Sequence, residues 1–151
     1  MESFLRPANK SDLGITFLWA TDPLIRKNSF NQSTITKSDH EKWFNAKISS
    51  VSCFYYILLD NGRAVGSIRF DICNDIGTIS YLIDSAYHGR GYGRDILDKG
   101  IMKIKANCKE VKILEGWVKN ENTASIRIFE KLKFRKMYDD GLKSRFELQL
   151  T

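Results

Sequence analysis

The stretch from Tyr81 to Arg94, YLIDSAYHGRGYGR, constrains this chain most. A β-rich run enters a turn with glycine at positions 89, 91 and 93, and Ile96, Leu97, Ile101, Met102 and Ile104 then follow at helical spacing. The pattern predicts a strand, a tight turn and a helix whose first-turn N–H groups have no partner within the helix. Such a helix start attracts anions, and alternate glycines let the backbone come close to a pyrophosphate. Two common phosphate loops are excluded. Arg94 stands where G-x-G-x-x-G needs its third glycine, and no G-x-x-x-x-G-K-[ST] occurs. Glycine clusters between elements also serve as plain turns, so the second signal lies downstream. There Asn122 to Phe134, NTASIRIFEKLKF, reads as another helix with Asn at its start and an aromatic just past its end.

The remaining elements read from periodicity and punctuation. A strand at Phe4 to Arg6 precedes a helix from its cap Ser11 to Ala20, stopped by Asp22-Pro23. Residues 26–36 read as irregular, and Ser38 reads as the cap of a helix from Asp39 to Ile48. Strands at Cys53 to Leu59, Ala64 to Ile72 and Ile76 to Asp84 are joined by Asp60-Asn61-Gly62 and Asn74-Asp75 turns. The helix from Gly93 to Asn107, a strand from Val111 to Val118, the helix from Asn122 to Leu132 and a hairpin of Arg135 to Tyr138 with Ser144 to Leu150 complete the chain. A meander followed by strand-helix units implies an α/β (mixed α+β) fold, a mixed sheet of about six to seven strands with helices on both faces.

At 151 residues and 42% hydrophobic, residues 1–151 are expected to form a single domain. No apolar run approaches the roughly 20 residues that span a bilayer, and the first residues lack the pattern of a signal peptide. A cytoplasmic chain is expected. Cys53, Cys73 and Cys108 are widely spaced, which argues for reduced structural thiols and against a metal site. Charge is uneven: residues 90–145 hold 15 Lys and Arg against 8 Asp and Glu, while the net charge of the whole is +6. That bias fits a lysine-rich surface, a phosphorylated coenzyme or a nucleic acid. No basic tail, zinc finger or aromatic RNA-binding signature accompanies it, which favours the coenzyme and argues against a nucleic-acid partner.

Taken together, the loop and the Asn122 helix resemble the acetyl-CoA site of the GCN5-related N-acetyltransferases. Their loop reads Arg/Gln-x-x-Gly-x-Gly/Ala and their next helix Asn-x-x-Ala/Ser-x-x-x-Tyr-x-Lys-x-Gly-Phe. The opening Phe4-Leu5-Arg6-Pro7-Ala8 with Asp12 is similar too, so the resemblance covers nearly the whole chain. It implies acetyl-CoA as co-substrate and no metal. The co-substrate would meet Leu82 and Ile83 on the strand, His88, Gly89, Arg90, Gly91, Tyr92, Gly93 and Arg94 at the loop and helix start, and Asn122, Ser125 and Phe129 on the later helix. In the family, pantetheine joins the exposed edge of the strand at Tyr81 to Asp84 where it splays from its neighbour, and an N–H near Leu82 or Ile83 holds the acetyl oxygen. The departures are His88 for Arg or Gln, Lys133 for the glycine before Phe134, and Phe129 for the tyrosine that protonates the leaving thiolate.

Acyl transfer to an amine needs a proton acceptor and a donor for the departing sulfur. Phe129 has no exchangeable proton. Ser125, one turn earlier, either donates to sulfur or only satisfies local backbone, and Tyr87, Tyr92 and Tyr138 are substitutes. Thr78 occupies about the place of the relatives' strand glutamate, which leaves His40 as the candidate base, or water as a relay. On the acceptor side, Trp19 to Phe30 and Ser38 to Phe44 resemble the amino-sugar acetyltransferases of pseudaminic acid synthesis, including those fused to nucleotide-sugar hydrolases. The resemblance implies Trp19, Arg26, Phe30, His40 and Trp43 as acceptor contacts and a primary amine on a uridine-diphosphate-linked sugar. At least two of Trp19, Trp43 and Phe44 are expected to be buried. The competing readings are a protein N-terminal or small-amine acetyltransferase, and a nucleic-acid-binding or non-catalytic CoA-binding module. The partner is expected to be a small molecule with no membrane involved, and the assembly a monomer or homodimer.

Overall fold

The computed structural model describes residues 2–150. In chain order the elements are β1 Ser3–Pro7, a 3-10 turn Lys10–Asp12, α1 Leu13–Thr21, α2 Pro23–Arg26, α3 Lys37–Ser49, β2 Cys53–Asp60, β3 Arg63–Cys73, β4 Ile76–Ile83, a 3-10 turn Ser85–Tyr87, α4 Tyr92–Asn107, β5 Ile113–Lys119, α5 Thr123–Lys131, β6 Arg135–Asp139 and β7 Lys143–Gln149. The strands form one sheet in the order β1-β2-β3-β4-β5-β7-β6, in which only β4 and β5 run parallel. This is the mixed sheet that the chain pattern implies, and it has seven strands.

Period-two alternation sorts the side chains between two faces. One face carries Ile68 and Phe70 of β3, Ile79 of β4, Leu114 of β5 and Phe146 of β7, and α4 buries Ile96, Leu97 and Ile104 against it. Full burial of such a side chain contributes roughly 1.5–3 kcal/mol, so α4 is locked to the sheet and its N-terminus is held in place. The other face carries Tyr55, Arg69 and Ser80 in register across β2, β3 and β4, and Glu115 of β5 opposite Thr78. There α3 sits near β2, with Phe44 fully buried against the edge of Tyr55.

Neither expected serine caps its helix. Asn9 precedes the first turn in extended conformation and its side chain accepts from Ser11 N, while Asp12 accepts from Asn9 N at 2.8 Å, a reciprocal box. Asp12 also takes both Arg6 nitrogens, at 2.8 and 2.7 Å. Burial works to raise Asp12, but the Arg6 and Asn9 hydrogen bonds outweigh it and hold the carboxyl below its ordinary range. At the third helix Thr36, extended and one residue before the first turn, caps through Asp39 N at 3.1 Å in place of Ser38. Pro23 does more than stop α1. It opens α2 as its first residue, with Asp22 accepting from Leu24 N, so only residues 27–36 remain irregular.

Candidate acetyl-transfer site

The site begins where β4 changes neighbours. β3 follows β4 over its whole length, from Cys73↔Ile76 to Gly66↔Ile83, whereas β5 pairs with it only from Ile76↔Ile113 to Ile79↔Gly116. Beyond Ile79 the two strands part, and Ser80–Ile83 face a fork. Gly66 permits the close approach of β3 to β4: a Cβ there would lie 2.4 Å from the Leu82 carbonyl oxygen. That contact also shows which way Leu82 faces. Its carbonyl points to β3, as does Asp84 N, which donates to Val65 O at 2.8 Å. Peptide groups alternate along a strand, so those of Tyr81 and Ile83, and not of Leu82, address the fork. His88 Nε2 already bonds the Ile83 carbonyl at 2.7 Å.

After β4 the chain is pinned before it reaches the glycines. Asp84 accepts from Ala86 N and from Trp19 Nε1, the latter at 2.8 Å, and Ser85 donates to Asp22 at 2.7 Å. Gly89 and Gly91 then take φ of +77° and +86°, the left-handed region, and Gly91 is the N-cap of α4 with no side-chain cap. The first-turn N–H groups of a 16-residue helix are thus open to an anion. Glycine serves these positions by conformation, since a Cβ at either would meet nothing within 4 Å. Gly93 differs: a Cβ there would lie 2.8 Å from Ile128 of α5, so it sets the α4–α5 approach.

A cavity of about 1030 Å³ runs from this fork to the loop of residues 27–36. The fold brings many of the anticipated residues to its wall: Leu82, Ile83, His88, Gly89, Gly93, Asn122, Ser125 and Phe129 on one side, and Trp19, Arg26, Phe30, His40 and Trp43 on the other. Arg90, Gly91, Tyr92 and Arg94 stand outside it. Arg90 lies over the Tyr87 ring at 5.5 Å. Tyr92 is turned into the core and its hydroxyl donates to Asp60, so it is no substitute proton donor for the cavity; the expectation fails because the i, i+4 stripe of α4 places this position under the sheet. Tyr138 is likewise remote from the wall, on β6.

On α5, Asn122 accepts from Ser125 N at 3.3 Å. Phe129 is a core residue: its ring stacks on Phe146 at 5.5 Å and would collide with any Cβ on Gly116. Lys133, standing where relatives have glycine, adopts φ +71°, and Phe134 N closes the helix end on Phe129 O. The partner that sequence reasoning missed is Tyr81. Its hydroxyl lies 2.7 Å from Ser125 Oγ inside the cavity, a contact between positions 44 residues apart.

The acceptor side is aromatic and charge-compensated. Of the three residues Trp19, Trp43 and Phe44, Trp19 and Phe44 are buried, whereas Trp43 is 37% exposed beneath the Arg69 guanidinium at 4.9 Å. His40 is buried, stacked on Phe44, with Nε2 3.0 Å from Thr16 Oγ1. The Thr16 hydroxyl donates to Asp12 O at 2.8 Å, so it accepts from His40, and burial lowers the pKa of the ring. Asp71 is held by Lys47 at 2.7 Å and Arg69 at 2.8 Å; burial works against its charge, and those two partners keep it ionised below its ordinary range. Glu115 accepts from Thr78 at 2.8 Å and shares Arg145 with Glu147. Phe30 and Trp117 flank the Lys143 ammonium at 5.9 and 5.1 Å, and Lys119 donates to Lys27 O at 2.8 Å. Among the described residues no cluster of His, Cys, Asp or Glu could hold a metal, and no helix is long and apolar enough to cross a membrane.

Comparison with known proteins gives this geometry its family. No curated protein matches the chain in sequence. Solved structures do match in fold: a domain from Methanocaldococcus jannaschii (24% identity, 98% of each chain covered, TM-score 0.84), and spermidine N-acetyltransferase from Vibrio cholerae in complex with CoA and spermine (14%, 98% of this chain and 95% of that one, 0.86). Aminoglycoside acetyltransferase AAC(6')-Ib in complex with coenzyme A is a third (17%, 97% and 94%, 0.80). The β4–β5 fork, the unpaired peptide edge and the open N-terminus of α4 suit the acetyl-CoA that such enzymes use. The model of the acetyltransferase (GNAT) domain matches residues 3–135, and the chain belongs to that family of acetyl-CoA-dependent N-acetyltransferases.

Proposed function

We propose that this chain transfers acetyl directly from acetyl-CoA to a primary amine of an acceptor that also carries negative charge, of the uridine-diphosphate-linked amino-sugar type. The observation that carries this reading is the charge balance of the acceptor side. Asp71 already holds Lys47 and Arg69, and Arg145 lies between Glu115 and Glu147, while Arg26 and Lys27 line the cavity with Asp39 and Glu121 and Lys143 stands over the Phe30 ring. A polycationic acceptor would find few free carboxylates there, and a diphosphate would find Arg26 and Lys27 at the cavity wall and Lys143 of β7 beside Phe30. Phe30, Trp43 and Trp117 are partly exposed, and with Lys143 or Arg69 against one side of each ring a base or sugar would stack on the other.

In the transfer, the Ile83 N–H holds the acetyl oxygen at the fork, the first turn of α4 holds the pyrophosphate, and the Ser125 hydroxyl serves the departing sulfur. His40, kept neutral by burial and donating Nε2–H to Thr16, is the acceptor-side group able to take the amine proton. Thiol nucleophiles are poorly suited to intervene. Burial pushes the Cys53 thiol up to about 11, and burial also raises Cys108. The test follows free thiol with acetyl-CoA and a panel of a uridine-diphosphate-linked amino sugar, the same sugar unlinked, spermidine and a peptide with a free N-terminus. The nucleotide-linked sugar is expected to give the highest kcat/KM, and faster turnover of spermidine or peptide overturns the assignment.

A further inference from the structure

The cavity wall holds one polar pair that the reading above uses only in half. Ser125 is 5% exposed and sits in the first turn of α5; Tyr81 reaches it from β4, two residues beyond the last β4–β5 pair. Their oxygens are 2.7 Å apart, and the pair straddles the fork where a thioester drawn along the β4 edge must pass. The Tyr81 ring is fixed from behind, edge-on to Phe129 at 6.3 Å.

A hydroxyl pair can be written in either direction, and the direction decides its chemistry. Ser125 has one hydrogen to give, and it is spent on Tyr81 if Ser125 is the donor of the pair. A phenol donates better than an aliphatic alcohol and accepts less well, because its lone pairs are drawn into the ring. If Tyr81 donates, Ser125 is the acceptor of the pair and its own hydrogen is left to point into the cavity. Burial raises the Tyr81 phenol above its ordinary value, with the Ser125 bond opposing, so the phenol keeps its proton at neutral pH.

We infer that Tyr81 is a positioning residue for acetyl transfer: its hydroxyl donates to Ser125 Oγ and thereby aims the Ser125 O–H at the departing sulfur. The inference rests on the proposed acetyl transfer. In that step the amine nitrogen forms the new C–N bond and loses one proton, the C–S bond breaks, and sulfur leaves with the electron pair. Ser125 stabilises that charge by a hydrogen bond, and the proton lost by nitrogen balances the thiolate. Phe129 contributes packing alone, and the donor usually supplied from its position comes instead from two residues on separate elements.

The test reads the bound thiol itself. Thiolate absorbance of CoA bound to the protein is titrated with pH in the parent, Tyr81→Phe, Ser125→Ala and the double variant, alongside kcat and the KM for acetyl-CoA. Both single variants are expected to raise the pKa of the bound thiol and to lower kcat about tenfold or more while leaving that KM within twofold. The double variant is expected to match Ser125→Ala, since Tyr81 acts through Ser125. Ser125→Thr, which keeps the hydroxyl, should restore most of both readouts and controls for altered packing. A Tyr81→Phe protein that melts like the parent, binds CoA and shows an unchanged thiol pKa and kcat overturns the inference alone. A parent that binds no CoA overturns the transfer reading and this inference with it.

Discussion

The two halves of the cavity are built from different material. The co-substrate half is mostly backbone: an unpaired β4 edge, two left-handed glycines and the open start of α4, all within residues 80–95. The acceptor half is mostly side chains drawn from α1, α3, β3, β5, β7 and the loop of residues 27–36. Backbone geometry tolerates few replacements, because a strand fork and a helix start are set by register and by backbone conformation. Side chains on loops and sheet faces can change on the same frame, and solved structures with this fold include one in complex with CoA and spermine and an aminoglycoside acetyltransferase.

The sharpest way to break this contrast is at Gly91. With φ at +86°, a β-branched residue there strains the N-cap and misaligns the first turn of α4. Acetyl-CoA at about 100 times its Kd should stabilise the parent by roughly 2.7 kcal/mol, and Gly91→Val should lose that stabilisation in a thermal melt. A retained shift would mean that the loop does not carry the co-substrate.

Arg26→Ala probes the other half. It should raise the KM of a diphosphate-bearing acceptor about tenfold, the worth of one charge-assisted hydrogen bond, with the Kd of acetyl-CoA within twofold. Loss of acetyl-CoA binding in this variant would erase the division between the halves. Lys133 offers a smaller effect with opposite sign. It holds a left-handed conformation that costs a non-glycine residue roughly 1–2 kcal/mol, so Lys133→Gly should stabilise the fold by about 1 kcal/mol in urea unfolding, without touching turnover.

The smallest effect is a slope with pH. Burial lowers the pKa of His40, so as pH falls through about 6.5 the unfolded chain takes up a proton before the folded one does. Stability should therefore decline with falling pH in that window. His40→Asn, which can still donate to Thr16, should flatten this decline. An unchanged slope would mean that another group carries it.

Much of the co-substrate half was readable before any coordinates, because its signals are local. A strand run, three alternate glycines and an i, i+4 stripe occupy consecutive residues, and the helix expected from Gly93 starts one residue earlier, at Tyr92 with Gly91 as its N-cap. The helix starts at Asn9 and Thr36 were less legible, since several Ser, Thr and Asn residues compete within one turn and only the extended residue that meets the first free N–H becomes the cap. Tyr92 misled for a similar reason: a tyrosine in a glycine-rich turn looks available until the phase of α4 turns it under the sheet.

By itself, then, the sequence determined the order of the strands and longer helices, the place of the glycine turn and the absence of a phenol at position 129, because each is a property of neighbouring residues. Only the tertiary structure decided that Leu82 faces β3 while Ile83 faces the fork, that Glu115 and Glu147 share Arg145, and that Tyr81 meets Ser125. These depend on strand register and helix phase, where a shift of one residue turns a side chain to the other face, and they join positions too distant in the chain for any local pattern to carry them.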